Sequence, residues 1–147
     1  MEVNKNAPVF AAGEIEVSAD IEIVWAVMAD IDRWPAWNPD IKSAHLEKEL
    51  APGSKFRWKA GPGTIVSVLQ EVERPKAIGW TGNTFGVKAV HFWRLEPKVG
   101  KTVVKTEESW DGMLALIFRG TMQKMLQRSI DSGLKSLKAE AERRSRL

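Results

Sequence analysis

His91 and Glu108 are the two residues of this sequence whose types and spacing best suit proton chemistry. If Val99-Gly100 forms a two-residue hairpin loop, the register of its two strands places His91 directly opposite Glu108, on the same face of the sheet. An imidazole beside a carboxylate can transfer a proton, anchor a polar group of a ligand, or form a structural ion pair. The sequence leaves these three roles open.

Tryptophans on neighbouring strands could form a cavity around this pair. Period-two alternation lets four of the seven tryptophans face one side, with two methionines of a helix opposite as an adaptable wall. The alternative is that most of the indole rings fill a solid core, where each buried N–H needs a polar partner. The residues predicted to contact a ligand are Trp37, Phe56, Trp58, Trp80, Phe85, His91, Trp93, Thr106, Glu108, Trp110, Phe118, Met122 and Met125.

Several other chemistries lack the residues that they need. The chain has no cysteine, which excludes disulfides, thiol nucleophiles and thiolate metal sites, and its two histidines are far apart in sequence. It has no Gly-x-Ser-x-Gly elbow, Gly-rich phosphate loop or dinucleotide fingerprint. We therefore expect neither a metal nor a cofactor.

Charge and hydropathy limit the partners. The net charge is only +3, and the excess lies mostly beyond Lys135, where a solvated helix end explains it, so we expect no nucleic-acid partner. No apolar run approaches the roughly 20 residues that span a bilayer, and residues 1–8 lack the order of a signal peptide. We expect a soluble, cytoplasmic protein without integral membrane association.

A long amphipathic helix that could carry the methionine wall is predicted from Gly112 to Arg144. Asp111 stands before it as a candidate N-cap. Apolar residues recur at steps of three to five, which is typical of a helix with one buried face. They are Leu114, Phe118, Met122, Met125, Ile130, Leu134 and Leu137.

The elements before this helix are predicted to be one strand, two short helices and about six antiparallel strands. Residues 10–17 alternate as a half-buried strand, a short helix capped by Ser18 or Asp20 runs to Asp30, and residues 31–39 form a compact helical turn with inward indoles. Later strands are expected at residues 41–50, 54–59, 64–72, 77–81, 87–96 and 102–110. Helices segregated to the ends of the sequence predict an α+β fold, with a curved antiparallel sheet around the long helix. The 147 residues have the size of a single domain.

Nearly the whole chain resembles the START-like helix-grip superfamily (SRPBCC), in its polyketide cyclase/dehydrase and lipid-transport branch. The resemblance rests on Trp34-Pro35-Ala36-Trp37-Asn38-Pro39, with Val24-Trp25, Pro52-Gly53 and Glu108-Ser109-Trp110-Asp111-Gly112 in the matching order. It implies an incomplete barrel wrapped around the C-terminal helix, with an apolar cavity between helix and sheet. It implies no particular reaction, because one fold serves carriers, cyclases, receptors and chaperone cofactors.

Three hypotheses for the function follow. The first is a carrier that binds a small hydrophobic ligand, lipid-like or aromatic polyketide-like, in this cavity. The second is an enzyme of the cyclase or dehydratase type that uses His91 and Glu108 as an acid–base pair. The third is a protein-interaction module that docks a partner on the basic helix end at residues 135–146. The sequence does not predict an oligomeric state.

Overall fold

The sheet of this protein has seven antiparallel strands. The structure is a computed structural model that describes residues 1–147. In chain order the strands are β1 (Val9–Val17), β2 (Ser43–Leu46), β3 (Lys55–Lys59), β4 (Thr64–Glu73), β5 (Ala77–Thr84), β6 (Val87–Lys98) and β7 (Lys101–Asp111). Their spatial order is β1-β7-β6-β5-β4-β3-β2. Each strand from β2 to β6 therefore pairs with the next strand in the chain, and β1 lies beside β7 at one edge.

Four helices come before and after the main run of strands. They are α1 (Ile21–Ala29), α2 (Trp34–Trp37), α3 (Met113–Ile117) and α4 (Arg119–Ser145), with a 3-10 turn at Ile31–Arg33. Asp20 caps α1, because its Oδ1 accepts a hydrogen bond of 2.9 Å from the backbone N–H of Ile21. No helix is both long enough and apolar enough to cross a bilayer. The predicted α+β helix-grip architecture is confirmed.

The C-terminal helix differs from the prediction at its start. It is broken at Phe118, whose φ and ψ of −105° and 29° separate α3 from α4. Asp111 is the last residue of β7, and Gly112 takes the N-cap position with a φ of 113°. Only glycine adopts this angle readily, and a Cβ there would collide with the carbonyl oxygen of Gly86. The apolar residues keep their helical spacing across this break, so the sequence pattern predicted one continuous helix.

Two strands also differ in length from the prediction. β2 ends at Leu46 instead of Leu50, because its partner β3 begins only at Lys55. β5 continues to Thr84, past the turn expected at Gly82, and the connection to β6 is the two-residue loop Phe85-Gly86.

α4 runs along the free edge of β1 and hydrogen-bonds to its backbone. Gln123 donates from Nε2 to the carbonyl of Phe10 at 2.6 Å and accepts from the N–H of Phe10 at 3.0 Å. Four turns further along, the Lys138 ammonium donates to the carbonyl of Glu16 at 2.8 Å. These side chains satisfy edge groups of the sheet that would otherwise face water.

The core lies between the concave face of the sheet, α1 and α4. α4 packs chiefly against β1 and α1, so it covers one side of the concave face more fully than the other. The largest fully buried side chains are Phe56, Met28, Ile31, Leu69, Ile78, Leu126, Ile130 and Leu137.

Trp34 is the centre of the aromatic part of this core. Its ring lies edge-on to Phe56 and Trp58, with centroid distances of 5.5 and 5.7 Å, and 5.4 Å from the ring of Trp80. The indole N–H donates to the carbonyl of Met28 at 2.9 Å. The short helix α2 is thereby packed against two strands of the sheet, β3 and β5.

Replacing Trp34 by Ala should lower the free energy of unfolding by about 3–5 kcal/mol, because it leaves a large cavity among these rings. Trp34→Phe is the matched control, since it keeps most of the packing and loses the N–H donor, and its cost should be smaller. Urea denaturation of both variants measures the difference. A loss under about 1 kcal/mol for Trp34→Ala would contradict a core role.

Candidate functional site

A cavity of about 790 Å³ lies between the concave face of the sheet and α4. Of the 30 residues that line it, 17 are hydrophobic, so its walls are mainly apolar. They come from β3 to β7 and the loop after β3, from α1, from the segment around α2, and from α3 and α4. The cavity occupies the side of the concave face that α4 covers least.

Four tryptophans form the walls on the sheet side, as the strand alternation predicted. Trp58, Trp80, Trp93 and Trp110 lie on β3, β5, β6 and β7 and all line the cavity. Trp58 donates from Nε1 to the hydroxyl of Ser67 at 3.0 Å, which fixes the plane of its ring. Met122 and Met125 of α4 line the opposite side, and Trp37 contributes from α2.

His91 and Glu108 form a buried pair at the base of the cavity. The predicted register is confirmed, since His91 pairs with Glu108, Trp93 with Thr106, and the hairpin turns after Lys98. His91 Nδ1 lies 2.9 Å from Glu108 Oε1, and both side chains are largely buried. The other carboxylate oxygen accepts a hydrogen bond of 2.7 Å from the indole N–H of Trp110.

The hydrogen bonds around His91 assign its protons. The Thr106 hydroxyl donates its single proton to the carbonyl of Phe92 at 3.0 Å, so its oxygen accepts from His91 Nε2 at 2.9 Å. Nε2 therefore carries a hydrogen. The other ring nitrogen, Nδ1, faces Glu108, whose Oε1 lies 2.9 Å away. This contact is short but lacks the alignment of a hydrogen bond.

Two indole rings contact the imidazole. The centroids of Trp80 and Trp93 lie 4.9 and 5.3 Å from that of His91, and both rings are tilted against it. The two tilted rings restrict rotation of the imidazole, so His91 stays beside Glu108. The pair can hold a proton, or orient a polar group of a bound molecule.

Three predicted contact residues lie outside the cavity lining. Phe56 is fully buried behind Trp34 and Trp80, where it packs as core. Thr106 is buried and bonded to His91, so it acts through the imidazole. Phe118 sits at the break between α3 and α4 and is half exposed to solvent.

Two of the predicted contact residues lie near the opening of the cavity. Phe85 lines the cavity from the loop between β5 and β6, and both Phe85 and Met125 are more than half exposed. They lie at the rim, whereas the four strand tryptophans and His91 lie deeper.

Sequence reasoning missed several polar residues of the cavity lining. Asn38 and Asp40 follow α2, and Arg128 and Ser129 lie on α4. The two residues of α4 follow Met125 by three and four positions, so helical periodicity could have found them. The protein has no cluster of three acidic or histidine side chains that could hold a metal ion.

A family model described as polyketide cyclase / dehydrase and lipid transport matches residues 11–142. No curated protein matches the chain in sequence.

Solved structures share the fold at low sequence identity. A hypothetical protein from Helicobacter pylori has 16% identity and a TM-score of 0.83, over 95% of this chain and 91% of its own. A START superfamily protein from Mycobacterium smegmatis has 16% identity and a TM-score of 0.79, over 91% and 97%. The Zhui aromatase/cyclase from Streptomyces sp. R1128 has 17% identity and a TM-score of 0.79, over 92% and 94%. At these identities the similarity shows the fold alone.

Replacing Thr106 by Val should cost about 1–3 kcal/mol of stability, because it leaves His91 Nε2 unpaired and removes one hydrogen bond from Phe92 O. The substitution should also remove the preference for a proton on Nε2. ¹⁵N NMR of the imidazole detects that change. Thr102→Val is the matched control, since the buried Thr102 hydroxyl donates to the carbonyl of Ala19 at 2.9 Å and does not bond to His91. A His91 spectrum that Thr106→Val leaves unchanged would show that the assignment is wrong.

Proposed function

Because the chain belongs to the polyketide cyclase / dehydrase and lipid transport family, we propose that it binds a small hydrophobic ligand, lipid-like or aromatic polyketide-like. The ligand would occupy the cavity between the sheet and α4. The observation that carries this proposal is the apolar, tryptophan-walled cavity of about 790 Å³. Cavities of roughly 300–1,000 Å³ with a few convergent polar groups are typical of small-molecule sites.

The solvent in the cavity supplies the driving force. A space of about 790 Å³ holds on the order of 25 water molecules at liquid density. Most of them would face indole and thioether groups, which cannot replace the hydrogen bonds of bulk water. Their release by an apolar ligand is favourable, and the rigid rings lose little conformational entropy.

The polar groups at the base would orient the ligand. The side chains of His91 and Glu108 retain 9% and 13% of their exposure, so only a small part of each faces the cavity. A single hydroxyl or carbonyl could reach them, whereas a strongly charged headgroup would lose its hydration without compensation. The proposed ligand is therefore apolar over most of its surface, with one polar end.

Replacing Ala89 by Leu should weaken binding of a hydrophobic dye such as anilinonaphthalene sulfonate by at least about tenfold. Ala89 lines the cavity opposite Gly82 of β5, so a larger side chain there takes up ligand space. Ala12→Leu is the matched control, because Ala12 is exposed on β1 outside the cavity. Fluorescence titration of the folded proteins measures both. Equal dye affinity in wild type and Ala89→Leu would contradict the proposal.

A second candidate is an enzyme of the cyclase or dehydratase type, favoured by the 2.9 Å contact between His91 Nδ1 and Glu108 Oε1. His91 Nε2 is hydrogen-bonded to the Thr106 hydroxyl. His91 Nδ1 and the Glu108 carboxylate are therefore the groups left to exchange a proton with a substrate. Glu108 could remove a proton from carbon beside a carbonyl, and the pair could return it to a departing hydroxyl as water. The Zhui aromatase/cyclase has the same fold.

Glu108→Gln separates the two candidates, because it keeps the shape and removes the negative charge. For a carrier we expect dye binding within about tenfold of wild type, or roughly 1.4 kcal/mol, and no loss of water from a poly-β-ketone thioester in mass spectrometry. Water loss by wild type that falls about a hundredfold in Glu108→Gln would instead establish the enzyme. Glu107→Gln, whose side chain points to the other face of β7, is the control.

No observation favours the protein-interaction module. Arg143 and Arg144 each hydrogen-bond to Glu140 at 2.9 Å, and Lys138 pairs with Glu142. The hydrogen bonds from Arg143 and Arg144 lower the pKa of Glu140 to about 2. The charges of the helix end are thus largely paired within the helix.

A further inference from the structure

The exposed apolar side chains of this protein are concentrated in one place. Nine large hydrophobic residues are exposed, and three of them are Met1, Leu147 and Val99, at the termini and at a hairpin tip. Of the other six, Phe85 and Met125 line the cavity and four lie on α3 or at the break after it; together these six are here called the mouth surface. They are Phe85, Met113, Leu116, Ile117, Phe118 and Met125.

α3 presents most of this surface. Ala115 is its only fully buried residue, and Leu114 reaches the cavity lining. Met113, Leu116 and Ile117 face solvent with 70%, 53% and 62% of their area exposed. A helix that is apolar on its outer as well as its inner side is typical of an element that contacts another apolar phase.

The loop between β5 and β6 holds Phe85 beside this helix. Phe85 has a φ of 47°, an unfavourable angle for a bulky residue, and it is 67% exposed. The backbone of the neighbouring Gly86 contacts Gly112, from which α3 starts. Backbone strain that keeps an aromatic ring in solvent is a reason to look for a function.

The segment that carries most of the mouth surface has charges of one sign, although Asp40 also lines the cavity. Residues 112–130 contain Arg119, Lys124 and Arg128 and no acidic residue. All three cations lie on the first turns of α4 and are exposed. This arrangement complements an anionic surface. It disfavours a symmetric contact with a second copy of the chain, because that contact would bring the same cations together.

We propose that the mouth surface docks onto an anionic lipid bilayer. Leu116, Ile117, Phe118 and Phe85 enter the boundary between headgroups and acyl chains, and the cations of α4 bind lipid phosphates. The opening of the cavity then faces the membrane. Docking depends only on the surface, so it does not rest on the proposed ligand.

Co-sedimentation with vesicles of phosphatidylcholine, with and without phosphatidylglycerol, tests the apolar part. We expect wild type to bind the anionic vesicles, and the double variant Leu116→Ser, Ile117→Ser to bind them at least about tenfold more weakly. Val99→Ser is the matched control, because Val99 is fully exposed at the hairpin tip at the other end of β6. Circular dichroism checks that the variants are folded.

Two double variants test the electrostatic part of the proposal. The double variant Arg119→Ser, Lys124→Ser should bind anionic vesicles roughly thirtyfold more weakly. The control is the double variant Lys101→Ser, Lys135→Ser, which removes the same number of exposed cations but away from the mouth surface. It should bind anionic vesicles within about threefold of wild type. Added salt should weaken wild-type binding.

Three outcomes would overturn the proposal. One is wild type that does not bind anionic vesicles, and another is control variants that lose binding as much as the mouth variants. The third is a dimer in sedimentation equilibrium that Leu116→Ser, Ile117→Ser dissociates, which would assign the surface to a second copy. Vesicle binding without dye uptake would reject the proposed ligand alone, and dye uptake without vesicle binding would reject the docking alone.

Discussion

A single helix cannot cover the concave face of a seven-stranded sheet. Strands lie about 4.8 Å apart, so the sheet is roughly 29 Å across, whereas a helix with its side chains is about 10 Å wide. α4 packs against β1 and α1 and leaves the region of β3 to β6 to other groups. The ring of Trp34 fills part of that gap, and the cavity is the remainder. The site therefore follows from a difference in width between the two layers.

Local patterns predicted the parts of this architecture that depend on neighbouring residues. Strand alternation placed Trp58, Trp80, Trp93 and Trp110 on one face, and the hairpin at Val99-Gly100 set the register of His91 against Glu108. Both depend on a period of two and on one short loop.

The features that the sequence did not predict depend on contacts between distant segments. The close approach of Gly112 to Gly86 joins segments that are far apart in sequence, and alternation cannot show that Phe56 lies behind Trp34. Thr106 faces the concave side as expected, but its hydroxyl bonds to His91. The alternation along a strand gives the face of the sheet on which a side chain lies. How deeply that side chain is buried depends on the elements that pack over it.

The hydrogen bonds from Gln123 and Lys138 to β1 have a consequence for self-association. An unpaired strand edge is a template on which another chain can add a strand, and this is a common first step towards amyloid. Here helix side chains occupy backbone groups at one edge. The opposite edge, β2, is only four residues long. A sheet protected at both edges is poorly suited to growth by strand addition, even when the protein is concentrated at a surface.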